Sequence, residues 1–503
     1  MLKSSSSSHS SSNKQQDSSS SSSGSSGSSS SKYGKEMSFL QQWKSRKEFV
    51  MAQVQVAVIL VIAYIGNNWP VSYPRNDNHD PTMFWVMNGG LFIAFLATLK
   101  HDKEASSRGV QLLSRPQTEE WKGWMQWAFI MYHYYRVYYV YNEIRLFVSA
   151  YVWMTGFGNF LYFDKKQDFS VERMVSMWLR INYFPLLLSL CLTVPLELYY
   201  VVPLHTAGFF ITMATCYIAH LFKNKGMGYW KANGLAIAIA LLVHIIFYET
   251  KCVDFLLLFG KEYHFRFQAD KYSAWIGILS AMFWCKFKEY MQWAYAPHAD
   301  GTPPSSTQLA AMWLQRLAGV FLLFLWYYAF GYMSDKFLYN PVHPYIFWMP
   351  LAGWLLIRNS SKYLCELHST ALEFLGRITL ETYVLQFHVF MSHNVQHIPV
   401  ILPGAGSDGP WFLKFANMLV CGGLFVPLAL WARKVTIATQ HSLTEFVTTF
   451  IWVKKEVVVV VVEKNNNGGP TKEETVSLTT KSSDIDDAAG TTQQNGGGKT
   501  EAV

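Results

Sequence analysis

The chain has 503 residues, half of them hydrophobic and 16% aromatic, yet only 15% charged, well below the roughly 25% of soluble domains. Its net charge of +8 is not gathered into a basic block, which argues against a nucleic-acid partner and for basic cytoplasmic loops beside a lipid bilayer. The six cysteines (Cys191, Cys216, Cys252, Cys285, Cys365, Cys421) stand singly in mostly apolar surroundings without a CxxC pair. They read as small buried thiols rather than disulfides or metal ligands.

Residues 1–36 are mostly serine, too polar to bury the apolar area that would offset their ordering entropy, so a disordered tail is expected. No basic stretch with a short apolar core opens the chain, so no cleavable signal peptide is expected, and the first span acts as an uncleaved anchor. Apolar runs of membrane length then recur at 49–65, 84–99, 144–163, 177–200, 203–221, 235–248, 272–285, 309–331, 345–357 and 411–431. Two further segments, 121–141 and 372–390, are long enough but carry ionisable residues. The expectation is an all-α, polytopic transmembrane bundle of about ten to twelve spans, in a membrane domain covering 37–440. A low-complexity tail, 441–503, follows. It contains a valine run, Val457–Val462, too short to span and suited to pairing as a strand or to aggregation, and turns polar and disordered from Lys464 onward.

Lysine and arginine set the orientation. Lys44, Arg46 and Lys47 precede the first span, Lys100, Lys103, Arg108 and Arg115 follow the second, and the intervening loop carries only Arg75. The positive-inside rule places the N-terminus in the cytoplasm, and Arg433, Lys434, Lys454 and Lys455 place the C-terminus there too, so the span number is even.

Ionisable groups inside membrane segments are costly and mark function. If the segment from Trp121 is one continuous helix, His133, Arg136 and Glu143 fall within about 80° of each other, with Lys122 and Gln126 extending the stripe and Tyr132 and Tyr139 beside it. Such a face suits catalysis: His133 as general base, Arg136 as holder of an anion or developing oxyanion. It also suits a packing ion pair between Arg136 and Glu143. In the second segment, Arg377, Glu381 and His388 share about 40° of a helix, and Arg377 and Glu381 have pairing distance. Arg377 is equally placed to mark a cytoplasmic helix end.

Other polar residues are less telling. His205 lies at a span start, and His343 in a proline-bounded stretch that reads as a rigid loop with a structural histidine. Arg180, with Asn182 and Tyr183, suits an anion contact or a helix end. His393 and His397 have i, i+4 spacing, but without an HExxH signature no metal is expected. P-loop, GxGxxG and GxSxG signatures are missing. The glycosylation triplet Asn359-Ser360-Ser361 lies between Arg358 and Lys362, in a loop that reads as cytoplasmic.

The run from Glu119 to Phe160 (EEWKGWMQ, MYHYYRVYYVYNEIR, SAYVWMTGFGNF) resembles the ten-transmembrane acyltransferase family. That family includes plant reduced-wall-acetylation proteins, fungal capsule O-acetylation proteins and animal sialate O-acetyltransferases. DFSVERMVSMWLRINYF (168–184), LYYVVPLHT (198–206), YNPVHPYIFWMPL (339–351) and LGRITLETYVLQFHVF (375–390) extend the resemblance in order. It implies acetyl transfer to hydroxyls of a polysaccharide or glycan acceptor in the Golgi lumen, with acetyl-CoA as donor. It also implies functional roles for His133, Arg136, Asn142, Glu143, Arg145, His205, His343, Glu381 and His388.

One departure is visible. Animal and fungal members carry a lumenal esterase-like domain, whereas the first lumenal loop here spans only residues 66–83 and no GDS or DxxH signature occurs, as in the plant members. Either the bundle completes the transfer itself or it hands acetyl groups to a separate lumenal acetyltransferase.

The chemistry is therefore assigned as follows. His133, Arg136, Glu143, Glu381 and His388 are catalytic, Lys122 and Arg180 contact the donor phosphates, and Asn142, Arg145, His205 and His343 hold the acceptor. A transporter of acetyl-CoA or another anion, without transfer chemistry, is the rival reading.

Overall fold

The computed structural model describes residues 29–102, 112–295, 303–333, 335–450, 458–461 and 474–477. Contacts divide the chain into residues 1–51 and 52–503. All helices beyond the first lie within the second unit.

Helix α1 covers Ser29–Asn67 and α2 covers Pro81–Ala97, the latter started by Pro81 and by the Asp80 carboxylate accepting from the Met83 amide at 2.9 Å. Then come α3 (Arg115–Tyr135), α4 (Tyr141–Lys166), α5 (Val171–Leu192), α6 (Val201–Asn224) and α7 (Tyr229–Glu249). The next rod is broken: α8 (Lys261–Ala269), α9 (Ser273–Met282) and α10 (Trp284–Tyr295). Helix α11 (Ser306–Trp326) opens with a capping box between Ser305 and Gln308. It is followed by α12 (Lys336–Ile346), α13 (Trp348–Arg358), the short α14 (Lys362–Glu366), α15 (Thr370–Arg377), α16 (Thr379–Leu385) and α17 (Trp411–Phe450).

Seven of these helices are long and apolar enough to cross a membrane. The remaining predicted segments are helical too, but shorter, more polar or interrupted. Large apolar side chains on α11, among them Leu314, Leu317, Phe321 and Phe324, are exposed. Such a face would be a liability in water and is at home in lipid. This is a polytopic membrane bundle.

Two small sheets identify its ends. Strand β1 (Ser72–Pro74) pairs antiparallel with β4 (His397–Pro399), and β2 (Leu99–His101) with β3 (Leu367–Ser369). The loop before α2 and the loop before α17 therefore share one end, the β1 end. The loops before α3 and α15 share the other, the β2 end.

Close backbone approach holds the helices together. A Cβ added at Gly123 of α3 would meet the Leu372 carbonyl at 2.0 Å, and one at Gly376 of α15 the Glu119 carbonyl at 1.8 Å. Only glycine permits this contact. Small residues serve this purpose in lipid, where no hydrophobic force drives helices together.

The structure changes several expectations. Helix α1 begins at Ser29, inside the segment expected to be disordered, and α17 runs to Phe450, past the expected boundary at 440. Forty helical residues extend about 60 Å, so α17 outruns a hydrocarbon core of about 30 Å. Within the valine run, which reads as suited to strand pairing, β5 (Val458–Val461) pairs with β6 (Glu474–Ser477), and β6 lies in the stretch from Lys464 expected to be disordered. Residues 1–28, Lys103, Arg108, Lys454 and Lys455 lie outside the described residues. Cys216, Cys365 and Cys421 are buried, but Cys191, Cys252 and Cys285 are exposed, and all six are unpaired.

Candidate active site

The proposed catalytic face does not exist as a single helical stripe. Arg136 takes a left-handed conformation (φ 51°, ψ 47°) that ends α3, and the chain turns back before α4 begins at Tyr141. The Tyr151 hydroxyl donates to the Lys122 carbonyl at 2.6 Å, so α3 and α4 are an antiparallel pair. Lys122, Gln126 and His133 remain on one face of α3, while Glu143 belongs to α4. The second segment is likewise interrupted, at Ile378 between α15 and α16, and ends in a π-helix, Gln386–Phe390. Arg377 pairs with Glu373, not with Glu381.

Four groups result. The first lies toward the β2 end. Lys122 Nζ stands 2.7 Å from Glu119, and Arg180 Nη1 stands 2.8 Å from Glu381 Oε1, which also accepts from the Thr436 hydroxyl at 3.3 Å. Arg433 is within electrostatic reach of both carboxylates, and Arg115 of Arg433 and Lys122. His205 Nδ1 lies 2.5 Å from the Thr155 hydroxyl, with Lys122 the nearest charge acting on it. Four cations against two carboxylates leave this cluster positive.

The second group lies near the β1 end, around His133. Its half-buried ring meets Phe129, Tyr132 and Phe387 edge-on at centroid distances of 4.6, 5.2 and 5.8 Å. Arg75 donates to the His133 carbonyl at 3.3 Å, and the charges of Arg75 and Arg266 act on the ring. Among the described residues no side chain or backbone group hydrogen-bonds the ring nitrogens. Arg136 turns away from it, with its Nε on the Tyr138 hydroxyl and its guanidinium 5.1 Å from that ring. Between the two groups, the Gln126 Nε2 on α3 is buried without a partner among the described residues.

The third group is closed. Arg145 pairs with Asp270, the Ser149 hydroxyl donates to Asp270 Oδ1 at 2.5 Å, and His343 Nε2 lies 2.7 Å from Ser149 Oγ. The serine proton goes to the carboxylate, so His343 donates from Nε2 and accepts at Nδ1 from the Tyr339 hydroxyl at 2.9 Å. His343 lies inside helix α12, not in a loop, and is fully buried. The Asn142 amide meets the carbonyls of Phe330, Gly331 and Met333 at 3.4, 3.1 and 2.8 Å. Asn142 thus spends its amide nitrogen, and His343 both ring nitrogens, on protein partners. Arg145 does so only in part, since its Nε and Nη1 have no partner among the described residues. Glu143 stays apart, half-buried, with one carboxylate oxygen unpartnered among them.

The fourth group holds His388, fully buried, with Tyr199 Oη at 2.5 Å from Nε2 and Asn67 Oδ1 at 2.9 Å from Nδ1. Sequence reasoning missed Tyr199 and Asn67, along with Glu119, Arg433, Arg75, Arg266, Ser149 and Asp270. Ser149 stands four residues after Arg145 on one helical face, a signal that was present. Asn67 and Asp270 sit at helix ends, where polar residues are unremarkable.

No group of three or more histidine, cysteine or carboxylate residues suited to a metal ion occurs among the described residues. His393 and His397 lie in the loop before α17, their ring centroids 4.5 Å apart.

A bundle of lipid-facing helices with ionisable groups turned inward defines a membrane protein with an intramembrane polar site. Residues 2–452 match the profile described as the 10 TM acyl transferase domain found in Cas1p. The chain belongs to that family. It is also 29% identical over 408 residues to the N-acetylneuraminate (7)9-O-acetyltransferase of Danio rerio, covering 77% of this chain and 50% of the relative. The chain thus spans about half the length of that curated relative. No solved structure matches.

Proposed function

We propose that the chain is a membrane O-acetyltransferase, or the membrane component that supplies its acetyl groups, acting on hydroxyls of polysaccharides or glycans in the Golgi. Acetyl-CoA is the donor. The observation that carries this reading is His133: its imidazole has no hydrogen bond among the described residues, in an aromatic recess beside Arg75 and Arg266. A neutral imidazole with an unengaged ring nitrogen can take the proton of an attacking hydroxyl, while guanidinium groups stabilise the oxyanion that forms. The hydroxyl oxygen attacks the thioester carbonyl, the carbon–sulfur bond breaks, and the proton passes through His133 to the departing thiolate.

The positive cluster of Arg115, Lys122, Arg180 and Arg433 suits the phosphates of the donor at the opposite end of α3. Lys122 and His133 lie eleven residues apart, about 16 Å along the helix. Lys100, Lys165, Lys166, Lys223, Lys225, Lys231, Lys286, Lys288 and Lys362 belong to the β2 end, against Arg75, Lys251, Lys261, Lys336 and Lys414 at the β1 end. This excess favours a cytoplasmic β2 end and a lumenal β1 end where the acceptor meets His133, and both termini are assigned to the cytoplasm. The Danio rerio relative is an N-acetylneuraminate O-acetyltransferase, which agrees with this class of acceptor.

Purified protein in proteoliposomes, given labelled acetyl-CoA outside and glycan acceptors inside, tests the proposal. Labelled acetyl ester on the acceptor supports it. Ester that forms only when a lumenal transferase is supplied supports the donor-component form. Label entering as intact acetyl-CoA without ester overturns it in favour of transport.

A further inference from the structure

The surroundings of His388 are built to an unusual degree. The residue sits in the π-helix at Gln386–Phe390, a one-turn element frequent at functional sites. The end of α1 presses directly on it, since a Cβ at Gly66 would meet the His388 carbonyl at 2.6 Å. After the π-helix, His393, Asn394 and Val395 take φ values of 51°, 54° and 71°, three successive non-glycine residues in the left-handed region. Such a run persists only where its neighbours over-determine it, and such strain gathers at functional sites. Here the neighbour is Asn67. Its carbonyl accepts from the His393 amide at 2.8 Å and its Oδ1 from the Asn394 amide at 2.9 Å, while the Val395 amide reaches the Phe387 carbonyl at 3.2 Å.

These bonds decide where the proton of His388 sits. A backbone amide can only donate, so the Asn67 atom facing Asn394 is the amide oxygen. The same oxygen lies 2.9 Å from His388 Nδ1. An oxygen that only accepts requires a proton on Nδ1. In the neutral ring Nε2 is then bare, and the Tyr199 hydroxyl, 2.5 Å away, donates to it. Tyr199 also lines a cavity of about 80 Å³ with Asn182 and Tyr263, room for several waters.

We infer that Asn67 is a positioning residue: held by the left-handed loop, it fixes His388 as the Nδ1–H tautomer and so keeps Nε2 as the acceptor of the Tyr199 proton. This rests on the reading above, in which His388 serves acetyl transfer. The proton chain runs Tyr199 to His388, with Asn67 behind the ring, and it adjoins His133 through Phe387, whose ring lies 5.8 Å from that of His133 and 6.4 Å from that of His388.

The test uses the full chain in nanodiscs, with labelled acetyl-CoA and a glycan acceptor, and compares Asn67→Ala, His388→Ala and the double variant. Asn67→Ala is expected to lower kcat about 10–100-fold, the scale of losing a group that orients a reacting residue, with KM unchanged. The double variant is expected to fall no further than His388→Ala, because Asn67 acts through that ring. Losses that multiply overturn the inference. Asn67→Asp keeps an acceptor facing both donors and is expected to retain most of the rate; a loss as deep as that of alanine overturns it. A ¹⁵N spectrum of the histidine-labelled wild-type protein reads the tautomer without any turnover. A proton on Nδ1 of His388 supports the inference and one on Nε2 overturns it. Unchanged kcat in His388→Ala with the proton on Nδ1 removes the catalytic reading of His388 and leaves the positioning by Asn67 standing.

Discussion

Arg180 and Glu381 face each other at 2.8 Å, joining α5 to α16 across 201 residues of sequence. The carboxylate is 1% exposed and the guanidinium 22%. Removing one partner of a buried pair leaves the other charge uncompensated, at a cost of about 3–5 kcal/mol. Arg180→Ala is therefore expected to lower thermal stability sharply in detergent. The double variant Arg180→Ala, Glu381→Ala is expected to recover part of the loss. Thermal unfolding followed by size-exclusion chromatography measures both, and a double variant less stable than either single one contradicts the pairing.

Gly123 and Gly376 bring the backbones of α3 and α15 into contact. Alanine at either position must push the helices apart, at a cost of about 1–3 kcal/mol or more, as overpacking does. The displacement also moves Glu119, whose carbonyl is part of the contact, and Lys122, next to Gly123. Gly89→Ala, where no atom lies within 4 Å of the added Cβ, is the control and is expected to be neutral. Equal unfolding temperatures for all three variants would refute the close packing.

Arg433 has no ion-pair partner within bonding distance among the described residues, whereas Lys122 and Arg180 are each paired. It is therefore free to meet a donor phosphate. Losing one charge-assisted hydrogen bond costs about 1.5–3 kcal/mol, so Arg433→Ala is expected to raise KM for acetyl-CoA by about tenfold or more, with kcat little changed. A fall in kcat at constant KM points away from donor binding.

How much of this was legible beforehand depends on what each residue signals locally. The spans were readable because lipid demands long apolar runs: seven of the predicted segments fall on helices long and apolar enough to cross a membrane, and the others are helical but shorter, more polar or interrupted. The polar groups were readable as groups, since His133, Glu381 and His388 stand out in apolar surroundings. Their partners were not. The left-handed turn at Arg136 has no glycine to announce it, so α3 and α4 read as one stripe. Glu381 found Arg180, two hundred residues away, in preference to Arg377 one turn away, a choice made by tertiary packing. His343 read as part of a loop because Pro341 and Pro344 are usually helix breakers, yet both lie within α12.

The orientation is open to a direct test. A glycosylation acceptor inserted between Arg75 and Asn78, at the β1 end, is expected to be modified in cells. One inserted between Lys225 and Gly228, at the β2 end, is expected to stay bare. Native Asn359 is fully buried and its amide donates to the Leu355 carbonyl at 2.8 Å, so it too is expected to stay unmodified. The reverse pattern inverts the protein in the membrane and detaches the acceptor site from His133.

The role of His133 is tested most directly by acetyl transfer from labelled acetyl-CoA to a glycan acceptor in the His133→Ala variant, with folding checked by unfolding temperature. Loss of a general base lowers the rate about 10²–10⁴-fold, and that is the fall expected here, with the protein folded and KM for acetyl-CoA near the unsubstituted value. Turnover equal to that of the unsubstituted protein would contradict the assignment of His133 as the base.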